Sequence, residues 1–209
     1  MVTRRKPRQG LKRALDLLIC CVAMPLILPL GLLLALLIVL DSKGPAIYRH
    51  ERIGKNGTSF AIYKFRTMVE NAERALEDCL AANPDMAREW EENHKIKNDP
   101  RLTRLGRFLR KTSLDELPQI LNILKGEMTL VGPRPIVEAE TPKYGRYLGE
   151  YCENRPGLTG LWQTSGRNNT TYSQRVAFDH YYLNHWSIWL DLWILAKTIP
   201  VALIGRGAY

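Results

Sequence analysis

Asp115 and Glu116 stand side by side in "RKTSLDELPQILNIL", residues 110–124, with Arg110 and Lys111 just before them and Pro118 just after. Adjacent carboxylates among cations can bind a divalent metal, act as acid and base, or supply a nucleophile. Neighbours on one helical turn point about 100° apart, so the two acids have separate roles. Arg110, Arg134 in "GPRP" and Arg155 in "RPGLTGLWQTSGRN" can neutralise phosphate oxygens, as phosphoryl transfer requires. No Walker loop, G-x-G-x-x-G or Ser/His/Asp arrangement competes, and none of the four histidines sits in a motif. The residues point to a membrane-associated enzyme acting on a phosphorylated substrate.

Local spacing places the acids at a helix start. Ser113 followed by Glu116 spells a capping box, but that register puts Pro118 at the fifth helical position, where its ring disturbs the first bonds. With Asp115 as N-cap, Pro118 falls in the first turn, and the helix runs to about Leu124. The positive end of that helix would favour both ionised carboxylates.

Residues 14–40, "ALDLLICCVAMPLILPLGLLLALLIVL", form an apolar segment interrupted only by Asp16. It is long enough for a hydrocarbon core of about 30 Å and too long for a signal-peptide core. Cations flank both ends, Arg4 through Arg13 before it and Lys43, Arg49, Arg52 and Lys55 after it. The positive-inside rule places both flanks in the cytoplasm, which one straight crossing cannot do. Pro25 and Pro29 each delete a backbone hydrogen bond near the middle, so a re-entrant helix that kinks and returns is expected. A plain transmembrane anchor is the alternative. The division is a basic cytoplasmic N-terminus (1–13), a re-entrant membrane helix (14–40) and a cytoplasmic catalytic domain (41–209).

The remainder reads as α+β, mainly helical. A β-hairpin is expected around Lys55-Asn56-Gly57, and amphipathic helices over 69–82 and 84–95. Residues 101–111 set Arg101, Arg104, Arg107 and Lys111 against Leu102, Leu105, Phe108 and Leu109, the build of an interfacial helix on anionic lipid. "MTLV", 128–131, is a short strand, and 172–204 forms two helices whose Trp186, Trp189 and Trp193 serve as core or as an interfacial belt. A net charge of +9 over 209 residues calls for an anionic partner. The four cysteines show no metal or disulfide spacing. A membrane-tethered nucleic-acid-binding protein or a structural adaptor would leave the acid pair unexplained.

"KFRTM" (64–68), "RKTSLDELPQILNILKGEMTLVGPRP" (110–135) and "RPGLTGLWQTSGRN" (155–168) resemble the bacterial sugar transferases, specifically the monotopic phosphoglycosyl transferases. The resemblance runs from about residue 11 to the C-terminus and matches a short form without extra N-terminal transmembrane helices. It implies transfer of a hexose-1-phosphate from a UDP-sugar to undecaprenyl phosphate, with release of UMP, as the first membrane step of exopolysaccharide synthesis. It further implies Asp115 as covalent nucleophile, Glu116 (with Asp115) as Mg²⁺ ligand or Glu116 as proton manager, and Pro25 at the helix break. Lys64, Arg66, Arg110, Arg134, Arg155, Gln163 and Asp179 are the implied phosphate and substrate ligands. UDP-galactose or UDP-glucose is the favoured donor, and the implied location is the cytoplasmic face of the inner membrane among anionic lipids. Nucleic acid is not an expected partner, and a homodimer is compatible with the sequence. A metal-dependent glycosyltransferase releasing UDP is the rival reaction.

Overall fold

A computed structural model describes residues 9–83, 86–88, 90, 96, 99–166 and 170–204, with the side chains of 201–204 excluded. The expected helix 84–95 and the cations Arg4, Arg5, Lys6 and Arg8 fall largely or wholly outside these residues. Helix α1, Gln9–Asp41, holds Pro25 and Pro29 within its span and is apolar enough to cross a membrane. It carries most of the exposed aliphatic surface, with Val22, Leu26 and Leu40 each over 70% exposed. A solvent-exposed helix of this composition belongs in lipid.

Strands β1 (Ile47–Ile53) and β2 (Ser59–Phe65) form the expected antiparallel hairpin, pairing Tyr48 with Lys64 and Arg52 with Phe60. Asn56 and Gly57 close it at φ 60° and 72°, which Asn and Gly tolerate best. Helix α2 is Ala72–Ala82, and α3 is Arg104–Thr112, capped by the Thr103 side chain. On α3, Arg104, Arg107, Phe108 and Lys111 make one exposed face while Leu109 is fully buried. Phe108 thus joins the cations rather than the apolar side, because Leu109 and Leu105 take the inward positions against Leu34, Ile38 and Phe65.

The acid pair does not start an α-helix. Ser113, at φ 57°, ends α3 in the left-handed region, and Leu114–Gln119 follows as a 3-10 turn containing Pro118. Helix α4, Ile120–Lys125, comes only after it. A three-residue repeat puts Asp115 and Pro118 on one buried edge and leaves Glu116 on another. The expected N-cap role of Asp115, and the helix-dipole field with it, is therefore absent: Ser113 and the proline together favour the tighter turn.

Strand β3, Thr129–Val131, pairs in parallel with β4, Gly157–Thr159, a partner 28 residues away that no local pattern announces. Short helices α5 (Thr141–Tyr144) and α6 (Leu148–Cys152) fall between the two strands in sequence, and α7 (Leu161–Ser165) follows β4. The expected tail pair is α8 (Tyr172–Asn184) and α9 (Ile188–Ile204). Trp186 is buried, whereas Trp189 and Trp193 are exposed.

The N-terminal arm of α1 is fastened by polar contacts. Lys12 Nζ meets Asp191 Oδ2 at 2.5 Å and the Tyr182 hydroxyl at 3.0 Å. Arg13 donates to the carbonyls of Ile123 and Leu124 at the end of α4. The buried Asp16 accepts from Thr129 Oγ1 at 2.6 Å and from the Leu130 amide at 3.1 Å. The C-terminal arm packs Leu34 and Ile38 on Phe65 and Leu109.

Candidate active site

Three segments bring charge to the 3-10 turn. On β2, alternation sends Phe65 to the buried cluster beside α1 and Lys64 to the other face. There Lys64 Nζ lies 2.6 Å from Glu116 Oε1 and 3.9 Å from Asp115 Oδ2. Helix α3 supplies Arg110, whose Nε donates to Thr67 Oγ1 at 3.0 Å. Gly106 lets α3 approach this closely, since a Cβ there would run into the Thr67 carbonyl.

Asp115 is 8% exposed. Burial pushes its pKa up to about 6; Lys64 and Arg110 pull it down, and Glu116 pushes it up. The expectation that flanking cations hold it fully ionised is thus modified: desolvation outweighs them. Among the described residues no three His, Cys, Asp or Glu side chains gather, so the acid pair is a two-carboxylate set. That is the donor set Mg²⁺ uses when substrate phosphates and water complete its shell.

The other candidate ligands separate into groups. Arg66 donates to the carbonyls of Ser42 and Lys43 and so ties β2 to the end of α1. Arg155 Nε donates to the Gly126 carbonyl at 2.6 Å, and its cavity is lined by Lys12, Arg13 and Asp16 but by neither acid. Arg134 lies over the ring of Trp162, the neighbour of Gln163, and Asp179 lies within electrostatic reach of Arg134. The Arg134 guanidinium lies 5.6 Å from that ring, and Asp179 accepts the Tyr144 hydroxyl at 2.8 Å through Oδ2 while its Oδ1 is buried without a partner. Full burial pushes Asp179 up to about 7. Arg167 and Asn168 of the third motif lie outside the described residues.

Arg52 and Thr67 escape the sequence-level reading. Thr67 was visible as part of "KFRTM", but its bond to Arg110 joins residues 43 apart. Arg52 had only its alternation with His50 on β1 as a signal.

The family model described as bacterial sugar transferase matches residues 7–205. The exopolysaccharide production protein ExoY of Rhizobium meliloti is 50% identical across 95% of this chain and 88% of its own length. A UDP-galactose-lipid carrier transferase of Erwinia amylovora is 49% identical across 95% of the chain. An undecaprenyl-phosphate galactose phosphotransferase of Salmonella typhimurium is 49% identical across 98% of it. The chain spans only 42% and 43% of those two relatives' own lengths.

Proposed function

The chain belongs to the bacterial sugar transferase family, and from that premise we propose that it transfers a hexose-1-phosphate from a UDP-sugar to undecaprenyl phosphate, releasing UMP. The observation that carries the reading is Asp115: a buried, partly desolvated carboxylate 3.9 Å from Lys64 and within the field of Arg110. In the first step its carboxylate oxygen attacks the sugar-bearing phosphorus, and the bond from that phosphorus to the bridging oxygen breaks. UMP leaves with the electron pair. In the second step a phosphate oxygen of undecaprenyl phosphate attacks the same phosphorus, breaking the acyl-phosphate bond and restoring the carboxylate. Lys64 and Arg110 offset the repulsion between Asp115 and the diphosphate, which is where positioned cations act most strongly.

Mg²⁺ held by Glu116 and Asp115, when bound, adds charge neutralisation at the diphosphate. Chelation should abolish turnover and Mg²⁺ should restore it; full activity in excess chelator would leave Glu116 to the proton of the lipid phosphate. UDP-galactose is the preferred donor, by the names of two relatives, with UDP-glucose next.

The decisive assay incubates purified protein with UDP-galactose and no lipid. Intact-protein mass spectrometry should show a hexose-phosphate adduct that Asp115→Asn lacks, and full reaction mixtures should contain UMP. Release of UDP instead would support the metal-dependent glycosyltransferase.

The same reading puts the catalytic body on the cytoplasmic face of the inner membrane, with α1 re-entrant. Its support is that both arms of α1 grip one body: Lys12, Arg13 and Asp16 at one end, Leu34, Ile38 and the Arg66-bound Ser42 and Lys43 at the other. The exposed Arg104, Arg107, Phe108 and Lys111 suit contact with anionic lipid.

A further inference from the structure

A second cationic cluster takes no part in the steps at Asp115. Arg52 on β1 is within the electrostatic reach of Arg134, as is Arg175 on α8, and each is disfavoured as a cation first by burial and then by that neighbour. Arg175 lies 4.8 Å from the Trp162 ring centroid, so Arg134 and Arg175 share one indole. The carboxylate that serves Arg52 and Arg175 is Glu140, 3.9 Å from Arg52. Asp179 is only partly charged near neutral pH. Among the described residues, three guanidiniums, always protonated in proteins, therefore face two carboxylates, one of them disfavoured as a charge by full burial.

The same neighbourhood holds unmet hydrogen-bonding groups. Arg52 Nε and Trp162 Nε1, both donors, and Gln163 Oε1 and Asp179 Oδ1, both acceptors, are each buried without a partner. Buried polar atoms in native proteins are nearly always satisfied, so orphans gathered in one place mark where water or a ligand belongs. An excess of cations selects an anion.

Position distinguishes two anions. Arg52 and Arg175 directly precede Ile53 and Val176, members of a core cluster with Tyr144 and Tyr151 that contains no described residue of α1. The cores that do contain α1 residues include Ile123, Phe65 and Leu109, on the Asp115 side. Arg52 and Arg175 therefore border a core without α1, whereas Trp162 borders, through Leu161, the one that α1 enters. His50 feels both Arg52 and Lys64, so positive charge continues along the hairpin between the two clusters. Four residues of strand separate the Lys64-paired Tyr48 from Arg52, or about 13 Å, a reach suited to a nucleoside diphosphate.

We propose that Arg134 and Arg175 over the ring of Trp162, with Arg52 beside Arg134, form the subsite for the nucleoside monophosphate half of the donor, the half that leaves. The proposal rests on the donor being a UDP-sugar. It makes Arg52 and Arg175 binding residues for the leaving group and assigns the lipid phosphate to the Arg110 side.

The test measures UMP binding directly, by calorimetry on the full chain in detergent, for wild type, Arg52→Gln and Arg175→Gln. Each variant should bind UMP at least roughly tenfold more weakly, the scale of a lost charge-assisted contact, with the KM for undecaprenyl phosphate unchanged. Arg175→Lys, which keeps the charge and loses the planar fork, should fall between them and guards against misfolding of the glutamine variants. Unaltered UMP affinity in both glutamine variants, or no UMP binding by wild type, overturns the subsite. A raised KM for undecaprenyl phosphate with UMP affinity intact also overturns it, by giving the cluster to the lipid phosphate. UMP binding weakened as expected, in a protein that releases no UMP from any UDP-sugar, sinks the proposed reaction and upholds the subsite.

Discussion

Asp115 combines two demands that oppose each other. A nucleophile toward a diphosphate benefits from being ionised yet poorly hydrated, and burial supplies the second at the expense of the first. With its pKa pushed from 3.8 to about 6, the carboxylate gains reactivity as pH rises through that value. The single-turnover rate of UMP release should therefore climb between pH 5 and 7 with a midpoint near 6, and Lys64→Met should move the midpoint upward. A flat profile over that range would mean that ionisation of Asp115 does not limit the step. The stability consequence has the opposite sign. Above about pH 6 the fold bears the full cost of the buried charge, on the order of 2–3 kcal/mol; the cost shrinks as the folded protein takes up the proton and disappears below the ordinary value. Asp115→Asn should then melt several degrees higher than wild type at pH 7.5, with the gain fading toward pH 4 in a melting series.

Among the elements, α1 is the one whose attachment matters most. Asp191 has a side chain only 3% exposed, and Lys12 is the cation bonded to it, while Tyr182 and Trp186 also donate to it. Removing one member of a buried pair strands the other, so Lys12→Met should cost about 3 kcal/mol. Combining it with Asp191→Asn should recover much of that loss, and a double-mutant cycle of thermal melts in detergent would measure the coupling. Additive losses would show that the two ends of the contact act independently. Asp16 has a different task, since it holds β3 directly ahead of the Gly132–Pro135 loop that carries Arg134.

At the scale of the molecule, the proposed re-entrant arrangement puts the folded body on one face of a membrane with both arms of α1 reaching it. Single cysteine reporters at Thr3 and Ser42, with Cys20, Cys21, Cys79 and Cys152 replaced, should both be protected from an impermeant maleimide on intact cells. Labelling of the Thr3 site alone would rule out the re-entrant arrangement. Replacing Pro25 and Pro29 by leucine should straighten α1 and expose one flank, with activity lost alongside, because a straight apolar helix of this length spans.

Features written in neighbouring residues were legible in advance. The acid pair, the apolar segment with basic flanks, the Asn56-Gly57 hairpin and the two tail helices each follow from composition or period within one short window. What tertiary structure decided was which of many like residues meet. Arg66 and Arg155 bond to backbone carbonyls, whereas Arg110 stands by Asp115, and Arg134 and Arg175 converge on one indole with Arg52 within reach of Arg134. The inward aim of Asp115 needed the left-handed Ser113 and the 3-10 turn, and β3 needed a parallel partner from the far motif. These outcomes depend on contacts between distant segments, whose free energy is set by burial and shape in three dimensions and leaves no local periodicity to read.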